Sequence, residues 1–263
     1  MIPWSLRLFR TRIEESMTTA NREIPSADAP SVRVLLFLLS LVAGTTDVIG
    51  YLGLDGLFTA HITGNLVLIC THLASHEPIH LSQVLSIPFF AIVVCGTRVL
   101  AGRLILKHAG PLGLLLLLQL LCIAGFHILC LMSGEHPQQG QLVTVFAGML
   151  GVSAMAVQNA MAQIAIQNAP STAIMTTNVT RFSVDVGTLI LNADAHEVHE
   201  ARLRGGRTLP VIIGFSLGCF VGAVCEQAFG LRALALPTVL ATIVLVLGLG
   251  IEWELKHGNK QKN

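Results

Sequence analysis

The chain has 263 residues, 53% of them hydrophobic and 12% charged, with mean hydropathy +0.71 and net charge +1. Soluble domains carry about 25% charged residues, so this composition excludes an ordinary soluble globule and points to a bilayer. One excess positive charge also supplies no global basic field for nucleic acid.

The first 30 residues hold Arg7, Arg10, Arg12 and Arg22 but no apolar core of the length a signal peptide needs. They are read as part of a polar cytoplasmic tail over 1–32. A spanning helix needs about 20 mostly apolar residues, and segments of that quality follow at 34–54, 84–106, 112–132, 142–166, 209–229 and 233–252. Two further apolar stretches are ambiguous. The first, 62–74, is short; the second, 173–192, contains Asn178, Arg181 and Asp185.

Basic residues decide between topologies, because cytoplasmic loops carry the excess of Lys and Arg. Suppose the two ambiguous stretches enter and leave by one side. The tail with Arg33, the 103–110 turn with Arg103 and Lys107, the 193–208 loop with Arg202, Arg204 and Arg207, and Lys256, Lys260 and Lys262 then share one face. The opposite loops hold only Arg232. The predicted fold is therefore an all-α polytopic membrane protein: about six transmembrane helices plus two short broken or re-entrant helices. Both termini lie in the cytoplasm and the chain lies in the inner membrane. The transmembrane domain runs over 33–255, followed by a basic tail at 256–263.

Each half then reads span, short segment, span, span, over about 33–133 and 140–253. Three spans per half make equivalent helices run in opposite directions, the inverted-repeat pattern in which interrupted segments mark a transporter's binding site. "GTTDVIGYLGLDG" (44–56) corresponds to "GVSAMAVQNAMAQ" (151–163), and the "TGN" of Thr63, Gly64 and Asn65 to the "TTN" ending in Thr177 and Asn178.

Thr and Asn at a helix start accept hydrogen bonds from free N–H groups, and a helix beginning at membrane depth needs such caps. Gly64 permits a tight approach. Two capped half-helix N-termini facing each other would suit an anionic or polar solute; the alternative is that these residues cap interfacial helices and join helices together. Intramembrane charge marks function by default. Asp47 lies in the first span with no local partner, so Thr45, Thr46 or Arg181 across the bundle are its expected contacts. Arg181 and Asp185 are spaced i, i+4 and read as a local pair. Gln158 and Asn159 occupy the place matching Asp47. His61, just before the Thr-Gly-Asn triplet, suits a proton switch.

Gly214, Gly218 and Gly222 form a small-residue ridge, with Gly96 and Gly102 in the equivalent span; it serves the inner bundle or a homodimer. The six cysteines, Cys70, Cys95, Cys122, Cys130, Cys219 and Cys225, contain no CxxC pair and read as small buried hydrophobes. His72, His76 and His80, interrupted by Pro78, and His196 and His199 in "DAHEVHEAR" are read as solvated loop residues, so no metal or other cofactor is expected. No nucleophile–base, Walker or dinucleotide constellation can be assembled, which argues against an enzyme.

"AGTTDVIGYLGLDGLFTAHITGN", followed by "VQNA" and "MTTNVTR", resembles the YoaK-like family of uncharacterised bacterial inner-membrane proteins. The resemblance covers about 34–250 and rests on Gly44, Asp47, Phe58, Thr63, Gly64, Asn65, Gln158, Asn159, Thr177, Asn178 and Thr180; the second element here has Thr-Asn where Thr-Gly is commoner. It implies a multi-pass membrane protein without naming a substrate. The expected function is a small-solute secondary transporter, anion- or proton-coupled, with its site between the half-helices. The alternative is a non-transporting scaffold, sensor or partner subunit.

Overall fold

A computed structural model describes residues 24–106, 110–133, 142–191 and 194–260. Among them the regular structure is helical: α1 (Pro30–Gly53), α2 (Ile62–Ala74), α3 (Leu81–Leu106), α4 (Leu112–Met132), α5 (Leu142–Ile164), α6 (Met175–Leu191), α7 (Ala195–Phe229) and α8 (Ala235–Lys260). A 3-10 turn, Gly230–Leu234, joins the last two. Five runs are long and apolar enough to cross a membrane, with Ala195–His257 counted as one. The 62–74 stretch is a separate helix with the predicted limits, and 173–192 contains α6, which starts two residues later than the apolar stretch.

α1 and α5 form the centre of the bundle. About two-thirds or more of their apolar windows are buried (67% and 72%), against 17–33% for the other long runs. Pro30 at the first turn of α1 costs no hydrogen bond, because its missing N–H would be unpaired there anyway. Inside α1 the hydroxyls of Ser40, Thr45 and Thr46 donate to carbonyls of the preceding turn, at 2.7–3.0 Å, so these polar residues cross the core already satisfied.

The two central helices run antiparallel. Gln158 Nε2 near the end of α5 donates to the Leu39 carbonyl in the first half of α1, at 2.9 Å. At the other end, a Cβ on either Gly50 of α1 or Gly151 of α5 would stand 2.9 Å from the same methyl group of Thr59.

The outer helices pack in corresponding pairs. α1 lies on α7 and α8, α5 on α3 and α4, α2 on α3, α6 on α7, and α4 on α8. The closest of these contacts is α1 on α7, and glycine makes it. A Cβ on Gly214 would lie 2.5 Å from the Phe37 carbonyl oxygen, one on Gly222 2.9 Å from Thr45 Cα, and those on Gly44 and Gly218 would overlap backbone of the facing helix. The glycine ridge is therefore spent inside the bundle. Gly96, by contrast, has no atom within 4 Å of such a Cβ.

Two expectations need correcting. The 193–208 segment is not wholly a loop, because Ala195 onward is continuous with α7. At 1.5 Å per residue this 35-residue helix is about 52 Å long, some 20 Å beyond a hydrocarbon core of about 30 Å. The charged first turns extend past the apolar part. Residues 24–29 are also not a free tail. Ala27 N–H donates to the Gln167 carbonyl at 3.0 Å and Gln167 N–H to that of Pro25 at 2.9 Å, strapping the chain onto the α5–α6 connection.

Candidate functional site

Each central helix leads into a non-helical connection that folds back into the bundle and then starts a short helix. After α1, residues 54–61 turn back at Asp55 (φ +50°) and Gly56 (φ +76°). Leu57, Thr59 and Ala60 are then buried. After α5, residues 165–174 turn at Asn168 (φ +56°) and bury Thr172 and Ala173. Backbone buried in this way must find polar partners, and side chains on neighbouring elements supply them.

Asp47 does this for the first connection. It is buried, six residues before the end of α1, or about 9 Å along the axis. Its Oδ1 accepts the Ala60 N–H at 2.6 Å and the Thr59 hydroxyl at 3.3 Å, and its Oδ2 lies 2.6 Å from His61 Nδ1. With the carboxylate ionised, Nδ1 carries the hydrogen and donates it. The His61 side chain remains 38% exposed, against 4% for Asp47. Its ring packs edge-on against Phe58 and against Phe215 of α7, centroids 5.9 and 5.5 Å apart. Arg181, the expected distant partner, is not among Asp47's contacts, and Thr45 and Thr46 bond to their own helix instead.

Asn65 completes this cluster. Its Oδ1 accepts the Phe58 N–H at 2.9 Å, while Nδ2 donates to the Phe58 carbonyl and to Ser86 Oγ, both at 2.8 Å. Gln83 of α3 donates to the Asp55 carbonyl at 3.3 Å. The expected cap does not form: α2 starts at Ile62, His61 occupies the cap position with no side-chain bond to the N–H groups of α2, and Asn65 is already one turn inside. Thr63 is exposed. Gly64 does permit close approach, since a Cβ there would meet the Phe58 ring at 2.9 Å.

The second cluster repeats the scheme with neutral groups. Gln158 Nε2 also donates to Thr172 Oγ1 at 2.8 Å, and its Oε1 accepts from Gln119 of α4 at 2.6 Å. Asn159 Oδ1 accepts from Ser171 Oγ at 3.3 Å. Asn178, the fourth residue of α6 as Asn65 is of α2, donates to the Ser171 carbonyl at 2.6 Å. Both asparagines thus reach back seven residues. Among the described residues, Asn159 Nδ2 and Asn178 Oδ1 have no partner. Thr177 is exposed, and Thr180 bonds within its own helix, to the Thr176 carbonyl at 2.9 Å.

Asp47 lies in the second half of α1 and Gln158 bonds to the first half, and no hydrogen bond between described residues joins the two clusters. The predicted Arg181–Asp185 pair is also absent. Asp185 is buried against α7, where its Oδ1 accepts from Arg204 Nε and Nη2 at 3.1 and 2.8 Å; Arg181 is exposed. Thr59, Ser86, Gln119, Ser171, Thr172 and Arg204 were not singled out from sequence. Gln119, alone in "LLLLLQLLC", carried a visible signal, and so did Ser171 and Thr172 ahead of a half-helix. Among the described residues no group of three or more His, Cys, Asp or Glu could hold a metal ion.

Residues 35–247 match the family described as "Protein of unknown function (DUF1275)". A 35-residue segment is 63% identical to the UPF0700 transmembrane protein YoaK of Bacillus subtilis (strain 168), covering 13% of this chain and 16% of that protein, about a sixth of its length. No solved structure matches the chain.

Proposed function

The chain belongs to the DUF1275 family and is a membrane protein similar in part to YoaK; within that frame we propose that it is a proton-coupled secondary transporter of a small polar solute, built as two inverted repeats. The observation that carries the proposal is the Asp47–His61 pair: a buried carboxylate 2.6 Å from a half-exposed imidazole at the mouth of a half-helix. The deprotonated pair has charge −1. Uptake of one proton at the open side of His61 gives imidazolium and carboxylate, which together are neutral. Net charge in a low-dielectric bundle is costly, so the neutral form is the one able to change its access. The same Asp47 holds the backbone of the 54–61 connection, which couples the proton to the segment that has to move.

The repeat reading draws support from packing. Exchanging α1 with α5, α2 with α6, α3 with α7 and α4 with α8 turns the set of packed pairs into itself. Asn65 and Asn178 make the same seven-residue reach in their two halves. In this reading the solute meets the amides of Asn159 and Asn178, which retain a free donor and a free acceptor, near the partial positive charge of the α6 N-terminus. Six spans, with both termini cytoplasmic in the inner membrane, complete the proposal.

Cysteine accessibility tests it. In a background freed of the six native cysteines, Thr63→Cys and Thr177→Cys are labelled with a membrane-impermeant thiol reagent in right-side-out and in inverted vesicles. Transport predicts that both positions react, from opposite faces, with rates that change in opposite directions with pH once each is divided by the rate of the same cysteine in the denatured chain, which cancels thiol ionisation. If both stay sealed from both faces at every pH, the polar clusters are internal glue and the scaffold reading replaces this one.

A further inference from the structure

We propose that the cleft between the 165–174 connection, α6 and α7 binds a phosphate-class oxyanion, from an anionic lipid headgroup or from free phosphate. The proposal does not rest on the transport reading. The cleft has a volume of about 210 Å³ and is lined by Arg181, Arg204, Arg207, Asn168 and Thr208, among others. Three arginines thus line one space. Two carboxylates answer them: Asp185 takes Arg204, and Asp28 takes Arg207 through both oxygens, at 2.6 and 2.8 Å. Arg181 has no hydrogen bond or ion pair with any described residue. The three lining arginines and the two aspartates paired with them therefore carry a net charge of +1.

Donors remain as well as charge. Arg204 and Arg207 each commit only Nε and Nη2 to their carboxylates, and a guanidinium has five N–H groups in a planar fork that fits phosphate oxygens. The surroundings match a lipid source too. Val184, one helical turn from Arg181 on α6, is 62% exposed, so acyl chains have apolar surface on the face of α6 that carries Arg181. Basic pockets between transmembrane helices recognise anionic headgroups in this way.

The test uses the full chain in nanodiscs and in neutral detergent. One arm titrates phosphatidylglycerol against phosphatidylcholine; the other titrates inorganic phosphate against chloride at equal ionic strength. Binding is read by native mass spectrometry and by thermal midpoint. The expected result is preference for the phosphate-bearing anion in at least one arm. Arg181→Gln, which removes no internal contact, should weaken it about tenfold, the scale of one lost charge-assisted bond. Asp28→Asn should strengthen it several-fold by releasing Arg207. Arg103→Gln, exposed on α3 and away from the cleft, should leave it unchanged. Preference in the lipid arm alone identifies a headgroup, and preference in the phosphate arm identifies a free ion. The proposal is overturned if neither arm shows preference, if Arg181→Gln binds like the parent, or if Arg103→Gln weakens binding as much as Arg181→Gln does.

Discussion

Asn65→Ala tests how the first half-helix is held. The side chain is fully buried and makes three hydrogen bonds, two of them to the N–H and C=O of Phe58. Ser86 keeps a partner without Asn65, because its hydroxyl donates to the Gln83 carbonyl at 2.6 Å. Truncation therefore orphans two backbone groups. At about 1–3 kcal/mol for each buried unsatisfied group, the loss is about 2–6 kcal/mol. Side-chain bonds in membrane proteins fall at the low end, since the denatured chain in lipid also finds partners, so about 2–4 kcal/mol is expected. Asn178→Ala loses one bond to backbone rather than two and should cost about half as much. Thr63→Ala, exposed two residues before Asn65, should stay within about 0.5 kcal/mol of the parent. The assay is reversible unfolding in mixed micelles of mild detergent and dodecyl sulfate. If Asn65→Ala and Thr63→Ala unfold at the same denaturant fraction, Asn65 does not clamp the connection and the reasoning fails.

Gly218→Ala places a methyl group on the backbone of Leu41, where neither side can give way easily; a loss of about 1–3 kcal/mol or more is expected, against no measurable change for Gly96→Ala in the same unfolding assay. Arg207 beside Asp28 holds that carboxyl below its usual value of 3.8, so the stability it contributes is present above pH 3.8 and is lost as pH falls through the depressed value. The difference in thermal midpoint between parent and Asp28→Asn should accordingly narrow in acid, and a constant difference from pH 7 to pH 3 would contradict the pair. Reporter fusions at 109 and 200 should read cytoplasmic and those at 77 and 136 external; an external reading at 109 removes the inverted repeat.

The positions of the helices were legible in the sequence because apolar length is a property of composition. A 13-residue apolar stretch at 62–74 is short of the length a span needs, and it forms a separate short helix. Asp47, Asn65, Gln158, Asn159 and Asn178 stand out as polar residues in apolar sequence and are buried, but their partners were not legible. Capping rules describe bonds within one turn, whereas Asn65 and Asn178 reach back seven residues because the connections before them fold into the bundle. Asp47 finds His61 across 14 residues for the same reason. The i, i+4 rule paired Arg181 with Asp185, but Asp185 faces α7, where Arg204 offers two donors and Arg181 remains on the exposed side. The charged run from Ala195 to Arg207 read as loop by composition. It is helical because it continues the apolar helix beyond the hydrocarbon.

The central claim is that a proton on the Asp47–His61 pair governs the mouth of the first half-helix. Its most direct measurement is the rate of thiol labelling at Thr63→Cys in the cysteine-free chain, followed from pH 5 to pH 8.5 with and without His61→Gln, each rate divided by that of the same cysteine in the denatured chain so that thiol ionisation cancels. Glutamine removes the titrating imidazole, while Asp47 keeps the Ala60 N–H and the Thr59 hydroxyl, so the connection stays folded while the proton step is lost. The account predicts a sigmoidal pH dependence with His61 present and a flat profile in His61→Gln. A sigmoid that survives His61→Gln unchanged, or a flat profile with His61 present, would contradict it.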